Sequence, residues 1–184
     1  MSLFYNEKAL FWGRRRTRSL YLFWEGAIMG GMNPTRVLFV CQGNICRSPA
    51  AMFLLRYRLK ELGLENDYIV TSAGLEKSTQ GEDMHIESKK QLDAHHVPYE
   101  KHAAHMLSPK EYLEQDYVIV MEGYQKINIK RMMSGAHPEK LRRLLDFTPL
   151  KRDIADPYYT LDFDTAYADI EKGVEGFVNE VVKK

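Results

Sequence analysis

The 184-residue chain has only two cysteines, Cys41 and Cys46, so no disulfide framework can hold it together, and the chemistry of the thiols matters more than their bridging. It also lacks any run approaching the ~18 consecutive apolar residues of a membrane-spanning helix, which excludes an integral span. No charge sign dominates: 26 basic against 25 acidic side chains leave +1, too little for a global field that recruits nucleic acid or an anionic membrane. Any anion specificity must therefore be local. Repeats and low-complexity tracts are absent as well. What remains is an ordinary globular composition, 45% hydrophobic and 28% charged, at a length that suits one well-buried core and one domain. Two unpaired thiols and no secretory pattern point to a reducing cytosol, so a cytoplasmic protein is expected.

Residues 1–34 read differently from the rest. They hold five basic side chains (Lys8, Arg14, Arg15, Arg16, Arg18) against two acidic ones (Glu7, Glu25). The basic cluster before Ser19 to Trp24 has the outline of a signal peptide, but its apolar run is short and Glu25 interrupts it. Met29 and Met32 are alternative starts, and glycines 26, 30 and 31 punctuate the passage to regular patterning. The expectation is a leader over 1–34, bland or acting as a basic, aromatic surface-binding arm, and a domain over 35–184.

Within that domain strands and helices alternate. Arg36 to Val40 is a short β-rich apolar run of the kind buried on both faces of a parallel sheet. Ser48-Pro49 reads as an N-cap with proline at the first helical position. Met52, Leu55, Leu59 and Leu62 then follow at helical spacing until Gly63. Further strands are expected at Tyr68–Thr71, Tyr117–Met121 and near Leu141–Leu145. Helices are expected at Ile86–Ala94, after the capping-box pattern Ser108-Pro109-Lys110-Glu111, and around Gln125–Met133. Phe163, Tyr167, Ile170, Val174, Phe177 and Val181 mark one face of a long terminal helix. The pattern predicts a single α/β domain: an open four-stranded parallel sheet, helices on both faces, and a phosphate-binding loop after strand one.

In such folds ligands gather beyond the carboxyl ends of the strands, and the loop there reads Cys41-Gln42-Gly43-Asn44-Ile45-Cys46-Arg47-Ser48. Gly43 and Asn44 are residue types that tolerate positive φ, letting successive N–H groups curl into an anion nest at a helix N-terminus. The same ring would stabilise a thiolate at Cys41 and make it nucleophilic near neutral pH. Arg47 can grip two phosphate oxygens with a planar fork. A zinc site from Cys41, Cys46, His95, His96, His102 and His105 is the weaker reading, because a loop glycine and an adjacent arginine suit a cation badly. The loop also lacks the lysine and glycine spacing of a Walker-type nucleotide site.

Val40 to Pro49 resembles the signature loop of the low-molecular-weight protein tyrosine phosphatases, and Asp156-Pro157-Tyr158-Tyr159, just before the last helix, resembles that family's second signature. The resemblance spans residues 35–183. It implies hydrolysis of phosphotyrosine in proteins, or of small aryl phosphates, through a cysteinyl-phosphate, with no metal or cofactor and with phosphate or sulfate seated in the loop. Cys41 would be the nucleophile, Arg47 the clamp and Asp156 the general acid, then base. Gln42, Gly43, Asn44, Ile45, Cys46 and Ser48 would surround the phosphate, Ser48 bonding the thiolate and Asn44 holding the loop. Tyr158 and Tyr159 would wall the cleft, and His102 would brace the loop from behind. By the same resemblance, Cys46 could form a protective disulfide with Cys41, making the nucleophile redox-sensitive.

The chain departs from the family pattern at Ser78, near a position often aromatic, at Thr160, usually glycine, and at Glu122, often aspartate; none of these is expected to touch the chemical step. Thioredoxin-coupled arsenate reductases share the scaffold but need further cysteines. Protein arginine phosphatases carry threonine where Ile45 stands, and phosphocysteine carriers have no use for Asp156. A phosphotyrosine-binding module without activity would be expected to lose Cys41 or Arg47.

Overall fold

The computed structural model describes residues 33–183, and the expectations for the leader up to residue 32 lie outside that range. The chain runs β1 (Thr35–Cys41), α1 (Arg47–Glu61), β2 (Tyr68–Gly74), α2 (Ile86–Ala94), α3 (Pro109–Leu113), β3 (Tyr117–Val120), α4 (Gly123–Met132), β4 (Leu141–Arg143), α5 (Pro157–Thr160) and α6 (Phe163–Phe177). The four strands form one parallel sheet in the order β2-β1-β3-β4. The α/β class and the parallel sheet are therefore as the sequence predicts.

β1 is central because its side chains alternate between two apolar layers. Val37, Phe39 and Cys41 enter the larger one with α1 and α6, while Leu38 and Val40 enter a smaller one with Tyr112 of α3 and Ile129 of α4. A residue such as Phe39, with no exposed surface, costs about 3–5 kcal/mol when truncated to alanine. Chain connections leave β1 toward β2 on one side and reach β3 on the other. The crevice above the β1/β3 boundary is thus the topological switch point where such sheets bind ligands.

Several boundaries differ from the sequence reading, each for a local reason. α1 begins at Arg47, so Ser48 lies inside its first turn. Cys46 occupies the N-cap position and makes no side-chain cap bond. β4 stops at Arg143, because the Asp146 carboxylate accepts from the Arg143 N–H at 3.0 Å and from its guanidinium, folding Leu144–Phe147 into a 3₁₀ turn. At α3, Ser108 does cap Glu111 N–H, but the Glu111 carboxylate turns to His105 instead of closing the box. α6 ends in a π-helical turn over Val178–Val182. Among the described residues no helix is long and apolar enough to cross a membrane.

Candidate active site

The loop after β1 is built by holding its carbonyls from outside. Leu75 N–H donates to the Gln42 carbonyl at 2.8 Å and Thr79 Oγ1 to that of Gly43 at 2.5 Å. His102 Nε2 donates to Asn44 O at 2.8 Å and His85 N–H to Ile45 O at 2.8 Å. In a trans peptide the N–H lies opposite the C=O. Four successive carbonyls facing outward therefore turn the amides of the following residues inward, toward the mouth beside Cys41 and the uncapped start of α1. That is an anion nest with the partial positive charge of a helix terminus behind it.

Asn44 is the residue that makes the turn possible. Its φ of 57° is left-handed, and it is fully buried. Gly43 does not adopt positive φ; it is packed instead, with Thr79 and the Glu76 carboxylate close to where a Cβ would stand. Asn44's side chain is linked to the Cys41 thiol through a directed chain of hydrogen bonds. His105 N–H donates to Asn44 Oδ1 at 3.2 Å, which aims Nδ2 at Ser48 Oγ and Ser72 Oγ, both at 2.9 Å. Ser48 Oγ accepts that bond, leaving its own proton free to face Cys41 Sγ at 3.0 Å, with the Ala73 carbonyl farther off at 3.4 Å.

Burial holds His102 below its ordinary pKa, so it stays neutral with Nε2 bearing the proton it donates. Its own backbone N–H is held by Asp83, whose carboxyl sits at about 2 because Lys89 and the amides of His102 and Met84 all favour the anion.

Arg47 is 1% exposed, and its charge is matched from two elements. Nη1 donates to Glu122 Oε2 at 2.5 Å and to the Ile154 carbonyl at 2.9 Å, and Nη2 donates to the Asp156 carboxylate. Burial acts to lower its pKa, but Cys41, Asp156 and Glu122 outweigh it and hold the guanidinium cationic. Nε is buried and unpartnered. Glu122, expected to be remote from the chemistry, is in fact a direct partner of Arg47. Gln125 orients it, donating to its carboxylate at 3.0 Å and accepting from its N–H at 3.2 Å.

Asp156 arrives from the far end of the chain. Ile154 N–H donates to the Met121 carbonyl at 2.9 Å, which moors this segment at the end of β3. Asp156 is extended (φ −80°, ψ 112°), as a residue before proline should be, and caps the single turn of α5 by accepting from Tyr158 N–H at 3.2 Å. Cys41, Gln42, Gly43, Ile45, Cys46, Arg47, Asp156, Tyr158 and Tyr159 line one cleft of about 430 Å³, together with Glu76, Ser78, Thr79 and Glu82. Asn44, Ser48 and His102 do not line it. Asn44 and Ser48, grouped from sequence with the residues around the phosphate, support the loop from beneath. Burial, then the charge of Cys41, pushes the Cys46 thiol up to about 12.

Sequence reading missed Glu122, Ser72, Gln125 and Gly74. A Cβ on Gly74 would lie 2.9 Å from the Gln42 carbonyl, so β2 approaches the loop as closely as only glycine permits. No spacing rule signals these, because each acts across a gap of 28 residues or more in the chain, or through a neighbour that does.

A family model described as low molecular weight phosphotyrosine protein phosphatase matches residues 36–184. A Staphylococcus epidermidis protein named low molecular weight protein-tyrosine-phosphatase PtpA is 34% identical over 148 residues, covering 80% of this chain and 94% of the relative. The crystal structure of YfkJ from Bacillus subtilis superposes with a TM-score of 0.80 at 30% identity, covering 84% of this chain and 98% of that one. A Drosophila arginine phosphatase gives 0.70 at 28% identity, covering 78% and 95%. Loop, sheet order and sequence likeness thus agree, and the chain belongs to the low molecular weight phosphotyrosine protein phosphatases, a family of hydrolases.

Proposed function

We propose that this protein hydrolyses phosphotyrosine in proteins, and small aryl phosphates, through a cysteinyl-phosphate on Cys41. The observation that carries the reading is the outward tethering of the carbonyls of residues 42–45, which leaves an amide ring beside a thiol. The ester's anionic oxygens enter that ring and displace the carboxylates from Arg47, whose fork then holds the phosphoryl group through transfer. Cys41 Sγ attacks phosphorus in line while the tyrosyl oxygen leaves. Ser48 donates to the thiolate. Asp156, now beside an anion in place of a cation, carries the proton that the leaving oxygen takes; its carboxylate then deprotonates the water that attacks the phosphocysteine and releases phosphate.

Ile45, Tyr158 and Tyr159 suit an aromatic leaving group, and Asp156 in the cleft distinguishes this site from a phosphocysteine carrier, which needs no leaving-group acid. Arginine phosphate is the second reading, favoured by the likeness to the Drosophila arginine phosphatase; Ile45, where that group carries threonine, speaks against it. A free thiol nucleophile suits a reducing, cytoplasmic setting. Under peroxide, Cys41 would pass to sulfenic acid, and Cys46 would displace water from it to give the disulfide. Reversible inactivation that a Cys46→Ser variant survives equally well excludes that role.

The decisive experiment offers purified protein, with chelator present, p-nitrophenyl phosphate, a phosphotyrosine peptide and a phosphoarginine peptide. Turnover of the first two that is lost in Cys41→Ser, with ³²P trapped on the wild-type cysteine after acid quench, is the expected result. Preference for phosphoarginine, or turnover surviving Cys41→Ser, overturns the reading.

A further inference from the structure

The cleft is lined by two further carboxylates, Glu76 and Glu82, that the chemistry above does not use. Glu76 lies on the phosphate loop itself: Oε2 accepts from Gln42 Nε2 at 2.9 Å, and Oε1 is 3.6 Å from where a Cβ on Gly43 would stand. Tyr124 OH donates to Gln42 Oε1 at 3.0 Å, so the Gln42 amide is used at both ends and holds the Glu76 carboxylate in place. Glu82 lines the same cleft, while Lys77, which follows Glu76 in the chain, does not. Among the described residues, the only cation lining the cleft is Arg47, and both of its Nη groups face carboxylates. A phosphate dianion therefore enters past two negative charges, one of them, Glu76, held in place by Gln42. Carboxylates there oppose a substrate that is acidic throughout and favour one whose phosphate is accompanied by a cation.

We propose that Glu76 and Glu82 make this cleft select phosphotyrosine flanked by a basic residue in the substrate chain. This rests on the phosphatase reading and deepens it. The phosphate fills the amide ring, the aryl ring lies between Ile45 and the tyrosines, and the neighbouring arginine or lysine of the peptide meets the Glu76 and Glu82 carboxylates. Opposite charges near the surface contribute modestly and are screened by salt, so the preference is electrostatic in signature.

The test compares kcat/KM for two phosphotyrosine peptides identical but for arginine or glutamate on either side of the phosphotyrosine. The arginine peptide is expected to be favoured about tenfold at low ionic strength, falling to about threefold or less in 0.5 M salt. In Glu76→Gln, which keeps an acceptor for Gln42, and in Glu82→Gln, the ratio between the two peptides should fall toward unity. Because the ratio is read within each variant, any change in overall turnover cancels. Equal rates on both peptides, or a ratio unchanged in both variants, overturns the proposal while leaving the phosphatase reading intact. No turnover of either peptide or of p-nitrophenyl phosphate overturns the phosphatase reading itself.

Discussion

The two halves of the site are made in opposite ways. The loop at residues 41–48 is held tightly, with Asn44, Arg47 and Ser48 at or below 1% exposure and four of its carbonyls bonded to the 75–85 connection and to His102. The acid-bearing segment is one helical turn ending at Leu161 in the left-handed conformation, with Tyr159 78% and Leu161 80% exposed. A nest for a dianion has to exist before the anion arrives, since amides that reorganise on binding lose the benefit of preorganisation. In the proposed reaction, an acid that yields Arg47 to substrate and then serves water has to adjust. On the proposed function, the comparison teaches that rigidity is placed where charge would be stabilised, and exposure where a proton would be carried and a substrate would enter.

The sharpest way to break this contrast is at Cys41, the proposed nucleophile. Cys41→Ser should reduce turnover to less than about a thousandth while changing stability little, since the serine hydroxyl can still meet Ser48. A large fall in Tm would show that the thiol is part of the scaffold. Asp156→Ala should slow esters of poor leaving groups about 10²- to 10⁴-fold and p-nitrophenyl phosphate much less. Equal slowing across a leaving-group series would remove Asp156 from proton transfer.

Gly74→Ala tests the rigid half without touching substrate. Its Cβ presses on the Gln42 carbonyl, so unfolding experiments should show a loss of about 1–3 kcal/mol, together with a falling kcat/KM. A smaller effect, dependent on pH, comes from Asp83. Its carboxyl is held at about 2 against an ordinary 3.8, so its bonds add stability above about pH 4, lost as pH falls toward 2. Asp83→Asn should be less stable than the parent by under about 1 kcal/mol at pH 7, with the gap closing in acid. Thr160→Gly, in the exposed half, should shift stability by no more than about 0.5 kcal/mol. A larger loss would mean that its 3.3 Å bond to the Asp156 carbonyl holds the acid in place.

Much of this was legible in the chain. The apolar runs at β1 and β3 announced themselves because a strand buried on both faces needs no polar alternation, and both runs fall where the sheet places them. The loop was legible because its special residues are contiguous. The end of β4 was not, since Asp146 folds back on Arg143 and local bonding overrides the β-forming pattern of Leu141 to Leu145. Ser-Pro by itself predicts a cap at Ser48, but the hydroxyl is drawn inward by Asn44 and by the thiol, the partner that the family resemblance implies. Glu122 was noticed only as a departure from the family's usual aspartate. That it faces Arg47 depends on how far β3 projects before α4 begins.

By itself the sequence determined which residue types could do chemistry and on which element each would sit, because hydrophobic period, proline and the Cys-to-Arg loop are properties of neighbours along the chain. Only the tertiary structure decided what each of those groups faces. Asp156 reaches Arg47 across 109 positions of sequence, and Asn44 acquires its orientation from His105 across 61. Such contacts follow from strand order and register, and charge complementarity between distant segments leaves no local pattern from which to read them.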